Sequence, residues 1–200
     1  MDTPAQTRLC ARLLEVIEQD ILPKTREGVA KGSKAFGSAI LRKSDLSLIV
    51  ADTNREIENP LFHGEISTLN AFYRLPAADR PKTSECLFIT THESCPLCLS
   101  AITWAGFDNF YYLFDYRQIR DDFHIPHNLK IMQEVFKLPD GEYARQNAFW
   151  QSYPVTGLAA SASGEEADAL HQKIDRLKTA YVELAEAYQQ SKSANEIPLN

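Results

Sequence analysis

The sequence predicts an α/β sandwich with helices on both faces of a mixed sheet. Three observations predict it. Apolar residues recur at helical spacing in the first two dozen residues, as Leu9, Leu13, Ile17 and Ile21. Short apolar runs such as "ECLFITT" and "NFYYLF" lie between polar stretches, as buried strands do. The two kinds of segment then alternate: helix, two strands, helix, strand, helix, strand, helix. With 200 residues the chain suits one domain with room for an appendage, divided here at 1–157 and 158–200.

Each element has a local reason. "DTPAQTRLCARLLEVIEQDILPK" offers Asp2 or Thr3 as an N-cap and Pro4 in the first turn, with Cys10 and Leu14 widening the apolar stripe. "GVAKGSKA" is expected to be a loop. "AFGSAILRK" and "SLIVADTN", joined by a polar turn, read as a β-hairpin. "FHGEISTLNAFYRLP" keeps Ile66, Leu69, Phe72 and Tyr73 on one side and ends as a helix before Pro76. In "SCPLCLSAITWAG", Ser94 is placed to cap a helix, Pro96 to occupy its first turn and Gly106 to end it. "HNLKIMQEVFKL" is a further helix, closed by a "PDGE" turn. After the small-residue linker "LAASASGEEAD", residues Leu170, Ile174, Leu177, Tyr181, Leu184 and Tyr188 repeat by four and three. That pattern fits a helix docked on its own domain better than an intersubunit coil.

Composition narrows the function classes. Hydrophobic residues make up 44% and charged residues 24% of the chain, with a net charge of −6. No general attraction to nucleic acid or anionic membrane is expected from that balance. No apolar run is long enough to span a bilayer, and the N-terminus lacks a basic-then-apolar export signal. Four cysteines, Cys10, Cys86, Cys95 and Cys98, are too few for a secreted disulfide framework, so a reducing cytoplasm is expected. There a close cysteine pair binds metal or does redox work.

Residues 92–98 read "HESCPLC" and residues 62–66 read "FHGEI". At a helix start, Cys95 and Cys98 lie on one face, so both sulfurs reach one ion, and the helix dipole favours their thiolates. Two thiolates are half of a tetrahedral zinc site, and His63, itself opening a helix, is the candidate third ligand. Cys10 and Cys86 suit the core, and the remaining histidines lack a paired spacing. Three ligands leave a vacancy of the catalytic kind. Glu65, two positions after His63, is then placed to handle protons beside the ion. A thioredoxin-like reading of the cysteine pair would leave His63 and Glu65 without a task.

The fragments "H-G-E" and "E-S-C-P-L-C" resemble the H-x-E and P-C-x-x-C signature of the cytidine deaminase-like superfamily, with Ser94 where that signature usually has proline. "AFGSAIL", "TNREIENPLFHGE" and "CPLCLSAITWAGF" are similar to segments of bacterial guanine deaminases and tRNA adenosine deaminases. The resemblance covers most of residues 5 to 138. It implies a three-layer α/β/α sandwich with a mixed five-stranded sheet, to which this chain adds a C-terminal helical extension, and assembly as a homodimer. It implies Zn2+ held by His63, Cys95 and Cys98, with Glu65 shuttling protons. It further implies that Asn54 hydrogen-bonds a base and that the Gly64 N–H contacts it. Phe36 is either a pocket wall or a core residue, and Trp104 either walls the pocket or packs beneath it.

The implied reaction is hydrolytic deamination: hydroxide activated by zinc attacks an amidine carbon, Glu65 protonates ring nitrogen and amine, and ammonia leaves. The negative charge and the mixed "FDYRQIRDDFHIPHN" segment favour a small nucleobase or nucleoside over a polynucleotide. The alternative is a tRNA adenosine deaminase or a subunit of one. Asp121, Asp122, His124 and His127 are candidate readers of the base edge, and Phe149, Trp150 and Tyr153 either form a lid or pack the appendage.

Overall fold

The computed structural model describes residues 3–199; Asp2, one of the two candidate caps, lies outside them. The N-terminal stripe folds as expected, into α1 (Thr3–Val16), a π turn (Ile17–Ile21) and α2 (Leu22–Ala30). The backbone stays right-handed helical through both junctions, so the three form one rod. The wide turn sits just before Pro23, the residue with no N–H to donate. The expected loop at residues 28–35 begins only after Ala30. Gly28 is helical because α2 passes close over the end of a strand: a Cβ there would sit 3.2 Å from the Asn54 carbonyl oxygen. Glycine at this position serves close approach rather than a turn.

Five strands follow: β1 (Gly37–Arg42), β2 (Leu48–Thr53), β3 (Cys86–His92), β4 (Asn109–Phe114) and β5 (Gln151–Pro154). They pair in the order β2-β1-β3-β4-β5. The β1–β2 hairpin and the β1–β3 pair are antiparallel, with Ala39 opposite Ala51 and Ile89. The β3–β4 and β4–β5 pairs are parallel, with Tyr111 opposite Ile89 and Tyr153. The sheet is therefore mixed. β3 and β4 are buried along their whole length, which explains their unbroken apolar sequence.

The remaining helices are α3 (Gly64–Arg74), α4 (Pro96–Trp104), α5 (Tyr116–Asp121), α6 (His127–Phe136), α7 (Val155–Ala159) and α8 (Gly164–Ser191). α3 packs beside α4, while α1, α7 and α8 pack on one another, giving the two helical layers of an α/β/α sandwich. Sequence periodicity missed α5, α7 and β5, each six residues or fewer and too short to establish a period. Ser94 does not cap α4: the N-cap position is Cys95, and Pro96 follows at the first helical residue. The long terminal helix docks on its own chain. It buries Leu170, Leu177, Tyr181, Ala185 and Tyr188, and its Tyr181 ring lies 5.6 Å from that of Phe114 on β4. Burial of each large side chain contributes roughly 1.5–3 kcal/mol.

Candidate metal centre and active site

The site forms where two helices begin. His63 is the N-cap residue of α3 and Cys95 that of α4, both in extended conformation, so each side chain projects from the end of its helix. Glu65 and Cys98 occupy the first turns behind them. The start of α3 is pressed against β1: a Cβ on Gly64 would lie 2.7 Å from the Gly37 Cα. Its backbone N–H donates to Asn54 Oδ1 at 2.5 Å, which ties the helix to the chain leaving β2. The start of α4 is held by Glu93, fully buried, which accepts from Tyr143 Oη at 2.8 Å, from Arg145 Nη2 at 2.8 Å and from the Tyr116 N–H at 3.1 Å.

His63, Cys95 and Cys98 converge, their ligand atoms all within 4.8 Å of one another. His63 Nδ1 stands 3.4 Å from Cys95 Sγ and 3.7 Å from Cys98 Sγ. A tetrahedral ion with Zn–N near 2.0 Å and Zn–S near 2.3 Å sets such donors roughly 3.5 Å apart, so the three fit zinc. Among the described residues no fourth ligand joins the group. Electrostatics favour a cation here. The Cys98 thiol and the His63 imidazole, both donating to Cys95, hold the Cys95 thiol well below its usual range. Burial and the neighbouring thiolate push Cys98 up. Burial works against the His63 cation, but its hydrogen bond and attraction to Cys95, with Glu65 and Glu56 nearby, raise it to about 9.

Glu65 is buried, and its Oε1 lies 3.4 Å from the Thr90 hydroxyl. Burial raises its carboxyl, and the Cys95 charge raises it further. With His63, Thr90, Cys95 and Phe36 it lines a small cavity of about 10 Å³, close to the room one water needs. Beyond lies a larger cavity of about 560 Å³ walled by Phe36, Lys34, Glu56, Leu97, Ile131 and Ile197. Phe36, expected as wall or core, lines both cavities.

Other candidates fall elsewhere. Asn54 is buried and uses both ends of its amide within the chain, accepting from Gly64 and donating to Glu56 Oε2 at 2.9 Å. The Gly64 N–H is likewise engaged, and neither residue lines either cavity. Trp104 is 91% exposed and lines neither cavity. Helical phase explains this: six residues past Cys98, it points away from the face the sulfurs occupy. Asp121 pairs with Arg120 and Asp122 with Lys178, away from the cavity, whereas His127 lines it. Trp150 donates to Thr103 Oγ1 and Tyr153 stacks on Tyr111 at 5.0 Å, so that segment packs the edge of the sheet. Cys10 and Cys86 are core residues, their thiols pushed up to about 11 by burial. Sequence reasoning missed Lys34, Glu56, Ile197, Pro198 and Leu199. Only the unusual placing of charges in apolar surroundings would have pointed to the first two.

A dithiol turned toward an imidazole, with a buried carboxylate alongside, belongs to a metal centre rather than to a thiol redox pair. The class is therefore that of α/β/α proteins with a three-donor metal site. Residues 15–114 match the cytidine and deoxycytidylate deaminase zinc-binding region, and the chain belongs to that family. A search of curated proteins finds no match. Solved structures share the fold. A variant of NE0047 in complex with 8-azaguanine is 19% identical, covering 93% of this chain and 85% of that one, with a TM-score of 0.52. A guanine deaminase from Nitrosomonas europaea is 18% identical, covering 85% and 84%, with a TM-score of 0.49. A structure from work on A-to-I editing by tRNA wobble-position deaminases is 19% identical, covering 74% and 94%, with a TM-score of 0.45.

Proposed function

We propose that this chain hydrolyses the exocyclic amine of a small nucleobase or nucleoside, releasing ammonia, with Zn2+ held by His63, Cys95 and Cys98. The observation that carries the reading is the position of Glu65. It lies two residues after a ligand, in the first turn of α3, buried, on a cavity it shares with His63 and Cys95. Zinc, when bound, supplies Lewis acidity toward a water and a substrate at its open position. The Glu65 carboxylate takes one proton from the attacking water and passes it to the ring nitrogen. It then takes the second from the resulting hydroxyl and passes it to the departing amine as the carbonyl forms and the C–N bond breaks. Its raised carboxyl suits it to hold that proton between transfers. Phe36 offers an aromatic wall for a flat ring. Asn54 and Gly64 serve the substrate indirectly, by fixing the start of α3.

A small substrate is favoured because the larger cavity is mainly apolar and partly walled by the chain's own Ile197, Pro198 and Leu199. Its one lysine, Lys34, is already paired with Glu56. The test is ammonia release by zinc-loaded protein from a panel of bases, nucleosides, pterins and triazines, with tRNA alongside. Release from a small heterocycle supports the reading; release from tRNA alone replaces it with RNA editing.

The assembly is proposed to be a homodimer. Trp104 projects beside Tyr73, whose hydroxyl donates to the Ala105 carbonyl, and both rings are exposed. Light scattering of Trp104→Glu should show the mass fall to that of one chain, while unchanged mass would remove this face from the interface. A reducing cytoplasm is proposed as the location from the sparse cysteine usage; among the described residues no helix is long and apolar enough to cross a membrane.

A further inference from the structure

The wall of the larger cavity contains a buried ion pair that the deamination chemistry leaves unused. Lys34 Nζ lies 2.8 Å from Glu56 Oε1, with side chains only 6% and 2% exposed. A pair so desolvated adds little to stability over an apolar pair of the same shape, because lost hydration offsets the attraction. Something other than stability accounts for it better. Glu56 is also held by two more donors, the Lys34 backbone N–H at 3.0 Å and Asn54 Nδ2 at 2.9 Å, both on Oε2. Three donors from two segments leave this carboxylate no freedom to turn.

Its remaining neighbour is the metal ligand. His63 presents Nδ1 to the two sulfurs and Nε2 to Glu56 Oε1, at 3.9 Å. Lys34 in turn lies with Nζ 5.5 Å from the centre of the Tyr188 ring, which α8 buries. A chain of contacts thus runs from the C-terminal helix to the imidazole: Tyr188, Lys34, Glu56, His63. A ligand imidazole must be neutral, with its single N–H on the nitrogen away from the metal. A fixed acceptor at that N–H sets the tautomer, holds the ring plane and makes the other nitrogen a stronger donor.

We propose that Glu56 is the positioning residue of the metal centre, its fixed carboxylate attracting the Nε2–H of His63 across 3.9 Å, and that α8 holds it in place through Lys34. The proposal rests on the ligand set described above and not on the identity of the reaction. The C-terminal helix, which lies outside the matched region 15–114, thereby becomes part of the metal site.

The experiment measures zinc affinity by competition with a chromophoric chelator, together with the Co2+–thiolate absorption of cobalt-substituted protein. Glu56→Gln should weaken zinc about 10- to 100-fold and shift the cobalt bands, and it should also lower the thermal midpoint of the metal-free protein. Affinity within twofold of the parent would overturn the proposal. Because Glu56→Gln strands the Lys34 charge, the double replacement of Lys34→Met with Glu56→Leu removes both charges together. The same loss of affinity is expected there, and parental affinity in the double variant would show that stranded charge, not positioning, caused the first loss. Neither result depends on ammonia release. An inactive parent that binds zinc and loses it in Glu56→Gln overturns the deaminase reading alone; an active parent whose variants keep parental zinc affinity overturns this inference alone.

Discussion

The two helix starts that carry the ligands and the long helix α8 are built on opposite principles. At His63 and Cys95 the chain places polar groups in the interior and fixes each with named partners: Gly64 N–H on Asn54, Glu93 on Tyr143 and Arg145, Glu56 on Lys34. Every one of those groups is costly to bury unless its partner is present. α8 instead adheres through an apolar stripe and tolerates a polar outer face. Polar precision holds the chemistry, and apolar area holds the fold together around it. Losing one partner in the first region should therefore cost metal and activity as well as stability, whereas changes along α8, the Tyr188 contact to Lys34 apart, should cost mainly stability.

The sharpest way to separate the two is Glu65→Gln, expected to lower turnover by roughly 10²- to 10⁴-fold while zinc content stays at the parental level. Residual activity near the parent's would remove Glu65 from proton transfer. Tyr181→Ala is the counterpart in α8. Loss of a fully buried aromatic wedged against Phe114 and His92 should cost about 3–5 kcal/mol in denaturant unfolding. In protein still folded, zinc stoichiometry should be unchanged.

A subtler probe is Gly64→Ala, where the new methyl meets the Gly37 backbone rather than a movable side chain. The start of α3 must shift, costing about 1–3 kcal/mol and loosening zinc through His63. Stability and affinity both at parental values would show that the close approach is not needed. The gentlest probe is pH. Zinc must displace a proton from His63, held near 9 in the metal-free site, and from the Cys98 thiol, pushed up by burial. Affinity should therefore rise with pH through about 9, where His63 loses its proton, keep rising as the Cys98 thiol does, and fall as acid returns those protons. Calorimetry in buffers of different ionisation enthalpy should show proton release on zinc binding, and no release would mean the ligands are already deprotonated.

How much of this was legible beforehand differs between the same two regions. Cys95, Pro96 and Cys98 advertise themselves because three residues on a first helical turn have only one geometry. His63 and Glu65 follow by the same local reasoning. Trp104 was misplaced because a helix carries each residue a further 100° round its axis, and six steps from Cys98 reach solvent. Asn54 was assigned to substrate, and the structure adds a task the sequence did not show: its amide closes a loop, with partners Gly64 and Glu56 that meet it only once the loop folds.

The sequence by itself determined the first four strands, the two ligand-bearing helix starts and the apolar stripe of the last helix, because each is a local pattern a few residues long. Tertiary structure alone decided that Lys34 and Glu56 meet behind His63, that Tyr188 comes over Lys34, and that Ile197 reaches the cavity wall. Those contacts join segments up to about 160 residues apart, and no local period records which distant surfaces chain packing brings together.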